Sequence, residues 1–133
     1  MIYLSLGSNL GNKEANIQRA YELIEQRIGP IKRRSSLYRT APWGFSSPNE
    51  FLNSAIAIET SLSPRELLIA TQEIEQIVGR KGKTDDSGYQ DRIIDIDILY
   101  YNDLVINEPD LVIPHPLINK RDFVLKPLKE IYD

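Results

Sequence analysis

The chain has no cysteine among its 133 residues, and it has only one histidine, one methionine and one tryptophan. Without cysteine, neither a disulfide framework nor a thiolate metal site is available. No apolar run approaches the roughly 18 residues that a membrane-spanning helix needs. The opening "MIYLSLGS" lacks the basic and long apolar regions of a signal peptide. These absences suit a reducing compartment, so we expect a cytoplasmic protein without a membrane partner.

An excess of positive charge is also missing. Sixteen Lys and Arg stand against 19 Asp and Glu, which gives a formal net charge of −3. Nucleic-acid-binding proteins usually show a basic face, so we expect no nucleic-acid partner. An anionic ligand must then be met by a local cluster of cations. The length and the 41% hydrophobic content fit one globular domain, residues 1–133, which we expect to be a monomer or a weak homodimer.

Hydrophobic periodicity predicts the elements of the first half. Alternation in "IYLSLG" predicts a strand, and a helix follows with Asn12 as its N-cap and Gly29 as its stop. "IKRRSSLYRT" and "FLNSAIAIETS" each predict a strand, joined by the loop "APWGFSSPNE". Ser63 and Glu66 predict a capping box at the start of a second helix, which Gly79 ends.

The second half supplies a last strand and a tail. "RKGKTDDSGYQD" predicts a loop, "RIIDIDILYY" a strand, and "NDLVINEPDLVIPH" short extended pieces. "LINKRDFVLKPLKEI" predicts a short helix broken before Pro127. The order of elements is βαββαβ, which predicts an α+β, ferredoxin-like sandwich. We expect an antiparallel sheet with helices packed on one face, plus a C-terminal helical tail.

The last predicted strand carries two acidic residues within an isoleucine-rich run. Alternate side chains of a strand share a face, about 6.5–7 Å apart. Asp95 and Asp97 therefore point to one side and the isoleucines around them to the other. A buried carboxylate needs compensation, and two parallel carboxylates suit divalent cations. A simply solvated sheet face would explain the same pattern, and these two residues alone leave both interpretations open.

Positive charges precede this strand. Arg80, Lys81 and Lys83 lie in the preceding loop, and Arg92 begins the strand. An acidic pair beside a basic loop suits a metal–nucleotide complex, because metal and phosphates together satisfy both signs. For the loop alone, a solvated turn is the alternative.

Two other segments bear on a phosphate site. His115 lies between two prolines, where a structural role is the alternative to a phosphate or leaving-group contact shared with Arg121. The segment "GSNLGNK" is not a P-loop, which requires G-x-x-x-x-G-K-[ST]. A tight turn into the first helix is the better interpretation.

Aromatic and amide side chains cluster in the middle of the chain. "TAPWGF" and "NEFLN" place Trp43 and Phe51 near Thr40 and Asn53. Aromatic rings with an amide suit a flat heteroaromatic ligand, stacked on its faces and hydrogen-bonded at its edge. The alternative is that each ring pins the loop to the core.

Together these segments resemble the 6-hydroxymethyl-7,8-dihydropterin pyrophosphokinases of folate biosynthesis. The resemblance covers essentially the whole chain and rests on "LSLGSNLGN", "SSLYRTAPWG…FLN", "TQEIEQIVGR" and "DRIIDIDILYYND…VIPHPLINKRDFVLKPL". The spacing from R-x-x-D-x-D through PH to R-x-F-x-L-x-P-L is its most specific part. It implies a ferredoxin-like fold and transfer of a diphosphate from ATP to the pterin hydroxymethyl oxygen, with release of AMP.

The resemblance also implies roles for individual residues. Asp95 and Asp97 would coordinate two Mg²⁺ ions on the ATP phosphates, and Asp97 would also accept the hydroxyl proton. The implied catalytic residues are Asp97, Arg80 and Arg92. The implied ATP-binding residues are Gln72, Glu75, Arg80, Arg92, Ile98, His115 and Arg121. The implied pterin-binding residues are Thr40, Ala41, Trp43, Phe51, Asn53, Tyr89 and Phe123.

The sequence departs from the family pattern in the loops. The family's Arg-x-Arg pattern has its second arginine where this chain has Gly82, and the neighbouring Lys83 would supply the missing charge without an arginine's bidentate fork. Tyr89 stands for a tryptophan that caps the pterin in some members, and residues 47–49 read Ser-Pro-Asn instead of Gln-Pro-Asp. These departures bear on loop closure and product release, which often limit turnover.

Two other classes of function use the same residues. One is a non-catalytic ferredoxin-like module that binds a small ligand and regulates a partner. The other is a metal-dependent nuclease, which the acidic balance and the aromatic cluster disfavour.

Overall fold

An antiparallel sheet forms the middle layer of the molecule. The computed structural model describes residues 1–40, 50–79, 93–116, 118 and 122–132. The strands are β1 (Ile2–Ser8), β2 (Ile31–Arg34), β3 (Tyr38–Thr40), β4 (Phe51–Ile58), β5 (Asp95–Tyr101), β6 (Ile106–Glu108) and β7 (Leu111–Ile113). The helices are α1 (Lys13–Arg27), α2 (Pro64–Val78) and α3 (Asp122–Ile131).

The strands of the main sheet do not follow chain order. Their order is β2–β4–β1–β5, β3 also pairs with β4, and β6 and β7 form a separate hairpin. Every described pairing is antiparallel. The predicted α+β class and antiparallel sheet are confirmed. The central position of β1 explains why all seven of its residues are buried, since neighbours cover it on both sides and both faces.

Helices cover both faces of the sheet. On one face Leu4, Leu6 and Ile56 pack with residues of α1 and α2 in the larger hydrophobic cluster. On the other face Tyr3 and Leu99 pack with residues of α3. Helices α1 and α2 share one sheet face, as predicted, whereas the C-terminal helix α3, for which the sequence predicted no face, packs on the other and forms a third layer. The residues that decide this, Val124, Leu128 and Ile131, lie on one side of α3 and are all buried.

The predicted helix starts are confirmed. The Asn12 side chain accepts a hydrogen bond from the Ala15 amide at 3.1 Å. Ser63 and Glu66 form the complete capping box, in which each side chain accepts the other residue's amide. Gly79 ends α2 with φ 126°, a backbone conformation that glycine adopts without steric cost.

The segment predicted as one strand from Ile31 to Thr40 is two strands, β2 and β3. Ser35 interrupts it, because its amide donates to the Ala55 carbonyl while its own hydroxyl accepts the Ala55 amide, both at 2.9 Å. A side chain that takes over a ladder bond in this way competes with regular pairing. The pairing shifts from Arg34 opposite Ile56 to Tyr38 opposite Asn53, so one extra residue is accommodated between them.

The C-terminal helix is not broken before Pro127, contrary to the prediction. Pro127 lies inside α3, where a proline costs about 3 kcal/mol. Burial of the Val124, Leu128 and Ile131 side chains contributes about 1.5–3 kcal/mol each, which outweighs that cost. Arg33 also donates to the Ile131 carbonyl at 2.9 Å. Packing therefore overrides the local signal.

None of the helices in the described part of the chain has the length and hydropathy needed to cross a bilayer.

Replacement of Ser63 tests the capping box. We expect Ser63→Ala to lower the free energy of unfolding by about 1 kcal/mol, because it removes the acceptor for the Glu66 amide. Ser61→Ala, at an exposed position two residues earlier, is the control and should change it by less than about 0.5 kcal/mol. Urea unfolding measures both, and equal effects of the two substitutions would contradict the assignment.

Candidate active site

Three strands carry polar groups to one end of the sheet. Gly7 of β1 pairs with Asn53 of β4 on one side and with Asp95 of β5 on the other. Directly paired residues point to the same face, and neighbouring strands lie about 4.8 Å apart. Asn53 and Asp95 therefore stand about 10 Å apart across Gly7 on one face of the sheet. Ser5 pairs with Asp97 in the next row of the same face.

The two carboxylates occupy the face that the sequence predicts. Asp95 and Asp97 are half-buried, whereas Ile94, Ile96 and Ile98 are buried, so the predicted alternation is confirmed. The strand begins at Asp95, since Ile93 and Ile94 are not in the ladder, so the predicted start of this strand is too early. The helix α3 covers the same face further along, over Tyr3 and Leu99. A uniformly solvated face does not describe this arrangement.

Gly7 makes room for two of the predicted pterin-binding residues. A Cβ atom added at Gly7 would lie 3.0 Å from the Asn53 Oδ1 atom and 3.4 Å from the Phe51 Cδ1 atom. Asn53 is only 2% exposed, so its side chain has little space to retreat. The sequence pattern places Gly7 at the end of the first predicted strand, and a glycine within a strand pattern signals a close approach, but no site role was predicted for it. The turn glycine is Gly11, at φ 69°.

The outer edge of β5 is held at two points. Among the described strands β5 ends the sheet, and the Ile96 amide donates to the Glu75 Oε2 atom of α2 at 2.8 Å. Three residues on, the His115 amide donates to the Leu99 carbonyl at 3.0 Å. By the alternation of an antiparallel ladder, the amide and carbonyl of Ile98 point to this same outer edge.

A cavity of about 260 Å³ lies against this edge. Leu68 and Leu111 supply apolar walls beside Ile98, while Asp97 and His115 line it with polar groups. Such a mixture of apolar walls and a few polar groups is typical of a small-molecule site. The hairpin β6–β7 that forms one wall is tied to α2, because Arg65 donates to Glu108 and, at 2.7 Å, to Asp110.

The two predicted nucleotide contacts on α2 differ in environment. Gln72 is exposed and lines a shallow surface hollow, to which Gln76 and the small exposed part of Glu75 also contribute. Glu75 is 3% exposed and bonded to β5. The structure thus brings Glu75 against the acidic strand and leaves Gln72 toward solvent.

His115 lies at the junction of the carboxylates and the cavity. Burial lowers the pKa of its imidazole below the ordinary value, and the nearby Asp95 charge opposes this with a smaller effect. The ring is therefore mostly neutral at pH 7, where it can donate from one nitrogen and accept at the other.

The carboxylate pair fits a magnesium ion that is shared with a ligand. In the described part of the chain no three His, Cys, Asp or Glu side chains group so as to hold a metal. Mg²⁺ does not require such a cage, because it usually takes one or two carboxylates together with waters and substrate phosphates. The oxygen donors of Asp95 and Asp97 match that requirement.

Two further predicted pterin-binding residues lie on described elements, and the remaining predicted residues do not. Thr40 pairs with Phe51 at the end of β3, and Phe123 lies in the first turn of α3. The predictions that lie outside the described residues concern Ala41, Trp43, Arg80, Lys81, Lys83, Tyr89, Arg92 and Arg121.

Comparison with known proteins identifies the family. The family model described as 7,8-dihydro-6-hydroxymethylpterin-pyrophosphokinase (HPPK) matches residues 3–133. A 2-amino-4-hydroxy-6-hydroxymethyldihydropteridine pyrophosphokinase of Porphyromonas gingivalis is 42% identical over 132 residues, which cover 98% of this chain and 90% of that protein. The protein of the same name from Aquifex aeolicus is 42% identical over 98% of this chain and 79% of its own length.

Solved structures share the fold. A structure of an HPPK-DHPS in complex with substrates superposes with a TM-score of 0.78 at 16% identity, over 98% of this chain and 39% of that chain. The wild-type Plasmodium falciparum HPPK-DHPS with STZ-DHP gives 0.78 at 17% identity, over 97% and 39%. The present chain thus spans about two fifths of those longer proteins. With the full-length match to the family model and the 42% identical relatives, it belongs to the 7,8-dihydro-6-hydroxymethylpterin-pyrophosphokinase family.

Proposed function

We propose that this chain transfers diphosphate from ATP to the hydroxymethyl group of 6-hydroxymethyl-7,8-dihydropterin in folate biosynthesis. The pterin oxygen attacks the β-phosphorus, the bond from that phosphorus to the α,β-bridging oxygen breaks, and AMP leaves. The observation that carries the proposal is the row Asn53–Gly7–Asp95. It brings the Asn53 amide and the Asp95 carboxylate to one face about 10 Å apart, which supports binding of a heterocycle at one end and of a metal–phosphate group at the other.

The Asn53 end of the row suits the pterin. An amide side chain presents one acceptor oxygen and two donor hydrogens, which complement the amino and oxo groups on a pterin edge. Phe51 lies beside it and offers an apolar ring face for stacking. We assign Thr40, Ala41, Trp43, Tyr89 and Phe123 to the same pocket on the family resemblance.

The cavity at the outer edge of β5 suits the adenosine of ATP. The Ile98 backbone offers a donor and an acceptor there, and Leu68 and Leu111 offer apolar contacts for the base. His115 lines the same cavity near the acidic pair, and we assign it to the phosphates on the family resemblance. We assign Gln72, Arg80, Arg92 and Arg121 to the nucleotide as well, on the family resemblance.

Asp95 and Asp97 would hold the two Mg²⁺ ions of the reaction. When bound, such ions neutralise phosphate charge and align the attacking and leaving oxygens. The chain's own contribution is positioning and charge: Asp97 accepts the proton of the attacking hydroxyl, while Arg80 and Arg92 stabilise charge on the transferred group. Positioning and electrostatics supply most of the catalysis in phosphoryl transfer.

We also propose a ferredoxin-like fold, a single domain and a cytoplasmic location for this chain. The strand order β2–β4–β1–β5, with α1 and α2 on one face, supports a ferredoxin-like split βαβ arrangement. We assign residues 1–133 to a single domain that acts as a monomer or weak homodimer in the cytoplasm.

The products formed from ATP, Mg²⁺ and reduced hydroxymethylpterin test the reaction. We expect one AMP and one pterin diphosphate for each ATP consumed, because the β-phosphorus is attacked. Formation of ADP would indicate an ordinary kinase instead. Binding of both compounds without turnover would favour a regulatory module.

Removal of the Asp97 carboxylate separates a metal role from a structural one. We expect Asp97→Ala to lower kcat by more than about 10²-fold, since even supporting residues of metal sites commonly contribute 10–100-fold. Its melting temperature without metal and nucleotide should stay close to that of the parent. Asp103→Ala, at an exposed turn position just after β5, is the control and should leave kcat unchanged. Severe destabilisation of metal-free Asp97→Ala would refute the structural half of this assignment.

A methyl group at Gly7 tests the placement of the pterin pocket. The new Cβ in Gly7→Ala would press on Asn53 and Phe51, and overpacking of this kind costs about 1–3 kcal/mol. We expect KM for the pterin to rise about tenfold, since 1.4 kcal/mol corresponds to tenfold in affinity. KM for ATP serves as the internal control and should change less than about twofold. An equal rise in both would show that the pocket lies elsewhere.

A further inference from the structure

We infer that Glu75 is a positioning residue, whose buried carboxylate holds β5 through the Ile96 amide and so fixes the direction of Asp95 and Asp97. The inference reassigns a residue that the family resemblance places among the nucleotide contacts. Its catalytic consequence rests on the proposed function, whereas its structural consequence can be measured without metal or substrate.

The contact joins two elements that are distant in sequence. The Ile96 amide donates to the Glu75 Oε2 atom at 2.8 Å across 21 residues. In the described part of the chain β5 has a strand neighbour only in β1, so its outer amides lack a ladder partner at this point. The Glu75 carboxylate stands where the carbonyl of a further strand would otherwise be.

Because of the position of Ile96, this bond affects the orientation of the two carboxylates. Ile96 lies between Asp95 and Asp97, and its amide belongs to the peptide plane that it shares with Asp95. Fixing that plane restricts the backbone torsions on both sides, and with them the direction of both carboxylates. The second bond on this edge, from the His115 amide to the Leu99 carbonyl, restrains the strand three residues on. The two bonds bracket Asp97 and Ile98.

The placement of a carboxylate here is costly for α2. Glu75 is 97% buried, and burial of a carboxylate is unfavourable without strong hydrogen bonds. It also lies in the last turn of α2, which has no basic residue and where the helix dipole disfavours negative charge. A bond from an amide to a charged acceptor is about twice as strong as a neutral one. The charged hydrogen bond from the Ile96 amide therefore offsets part of the cost of burial and at the same time strongly restrains β5.

Direct contact with ATP is the competing role, and the burial of Glu75 opposes it. Gln72, one turn earlier on α2, is exposed and is better placed to touch a ligand. The two roles predict different results for ligand-free protein. Loss of a ligand contact alone would leave the Ile96 amide unaffected in ligand-free protein, whereas loss of a positioning contact would expose that amide to exchange with solvent.

The first measurement is hydrogen exchange by NMR on protein free of metal and nucleotide. We expect Glu75→Leu, which keeps the bulk but loses the acceptor, to lower the protection of the Ile96 amide at least tenfold. Glu75→Gln keeps an acceptor oxygen and should lower it less than about threefold. The amide of Ile56 in β4 reports global opening and should keep its protection. Glu73→Leu, at a neighbouring exposed position of α2, should change neither amide.

The second measurement is turnover by the same variants. We expect Glu75→Leu to lower kcat about 10²-fold and to raise the Mg²⁺ concentration for half-maximal activity, with KM for ATP changed less than threefold. Glu75→Gln should restore kcat to within about fivefold of the parent. If Glu75→Leu does not fold, the Ile96 amide proton of Glu75→Gln should still shift upfield, because a neutral acceptor replaces a charged one.

Four results would overturn the inference. Parental protection of the Ile96 amide in Glu75→Leu would show that the bond restrains nothing. Equal loss of protection at Ile96 and Ile56 would indicate a general loss of stability. A loss of ATP affinity alone, or local loss of protection without a change in kcat, would exclude positioning. If the parent protein forms no AMP, the proposed function fails, while the exchange measurement still decides the role of Glu75 in the strand.

Discussion

The pairing register of β1 with its two neighbours is the constraint on which the site depends. Gly7 lies opposite both Asn53 and Asp95, and this one alignment sets a polar row across three strands. A slip of β5 by one residue would exchange its faces, placing the two carboxylates in the larger core and the isoleucines outside it. Burial of Ile94, Ile96 and Ile98 opposes that slip strongly, so the core packing itself keeps the acidic pair on the functional face.

Different parts of the sheet carry the packed helices and the polar groups of the candidate site. Helices α1 and α2 cover one face, α3 covers part of the other, and the polar row lies beyond α3 on that second face. The outer edge of β5 lines the cavity that we assign to the nucleotide, while its face contributes the two carboxylates. In the proposed function one strand would therefore serve two parts of ATP, the adenosine and the metal-bound phosphates, because its edge and its face point in perpendicular directions.

The local signals in the sequence predicted much of this arrangement. The alternation around Asp95, the Asn12 cap and the capping box at Ser63 depend only on neighbours in the chain, and all are present in the structure. Features that depend on distant partners were missed or wrong. Ser35 splits a strand through its hydrogen bond to Ala55. Pro127 stays within a helix because that helix packs against the sheet. A side chain at position 7 would press on Asn53, which is why glycine is needed there. The cationic residues assigned to the phosphates lie outside the described residues.

The central claim is that Asp95 and Asp97 hold the metal–phosphate group beside the pterin pocket. A crystal structure with a non-hydrolysable ATP analogue, the pterin and Mn²⁺, with anomalous diffraction to locate the metal, tests it most directly. We expect Mn²⁺ peaks within ordinary oxygen-ligand distance of both carboxylates, with the pterin against Asn53. Metal peaks and triphosphate away from this face would contradict it.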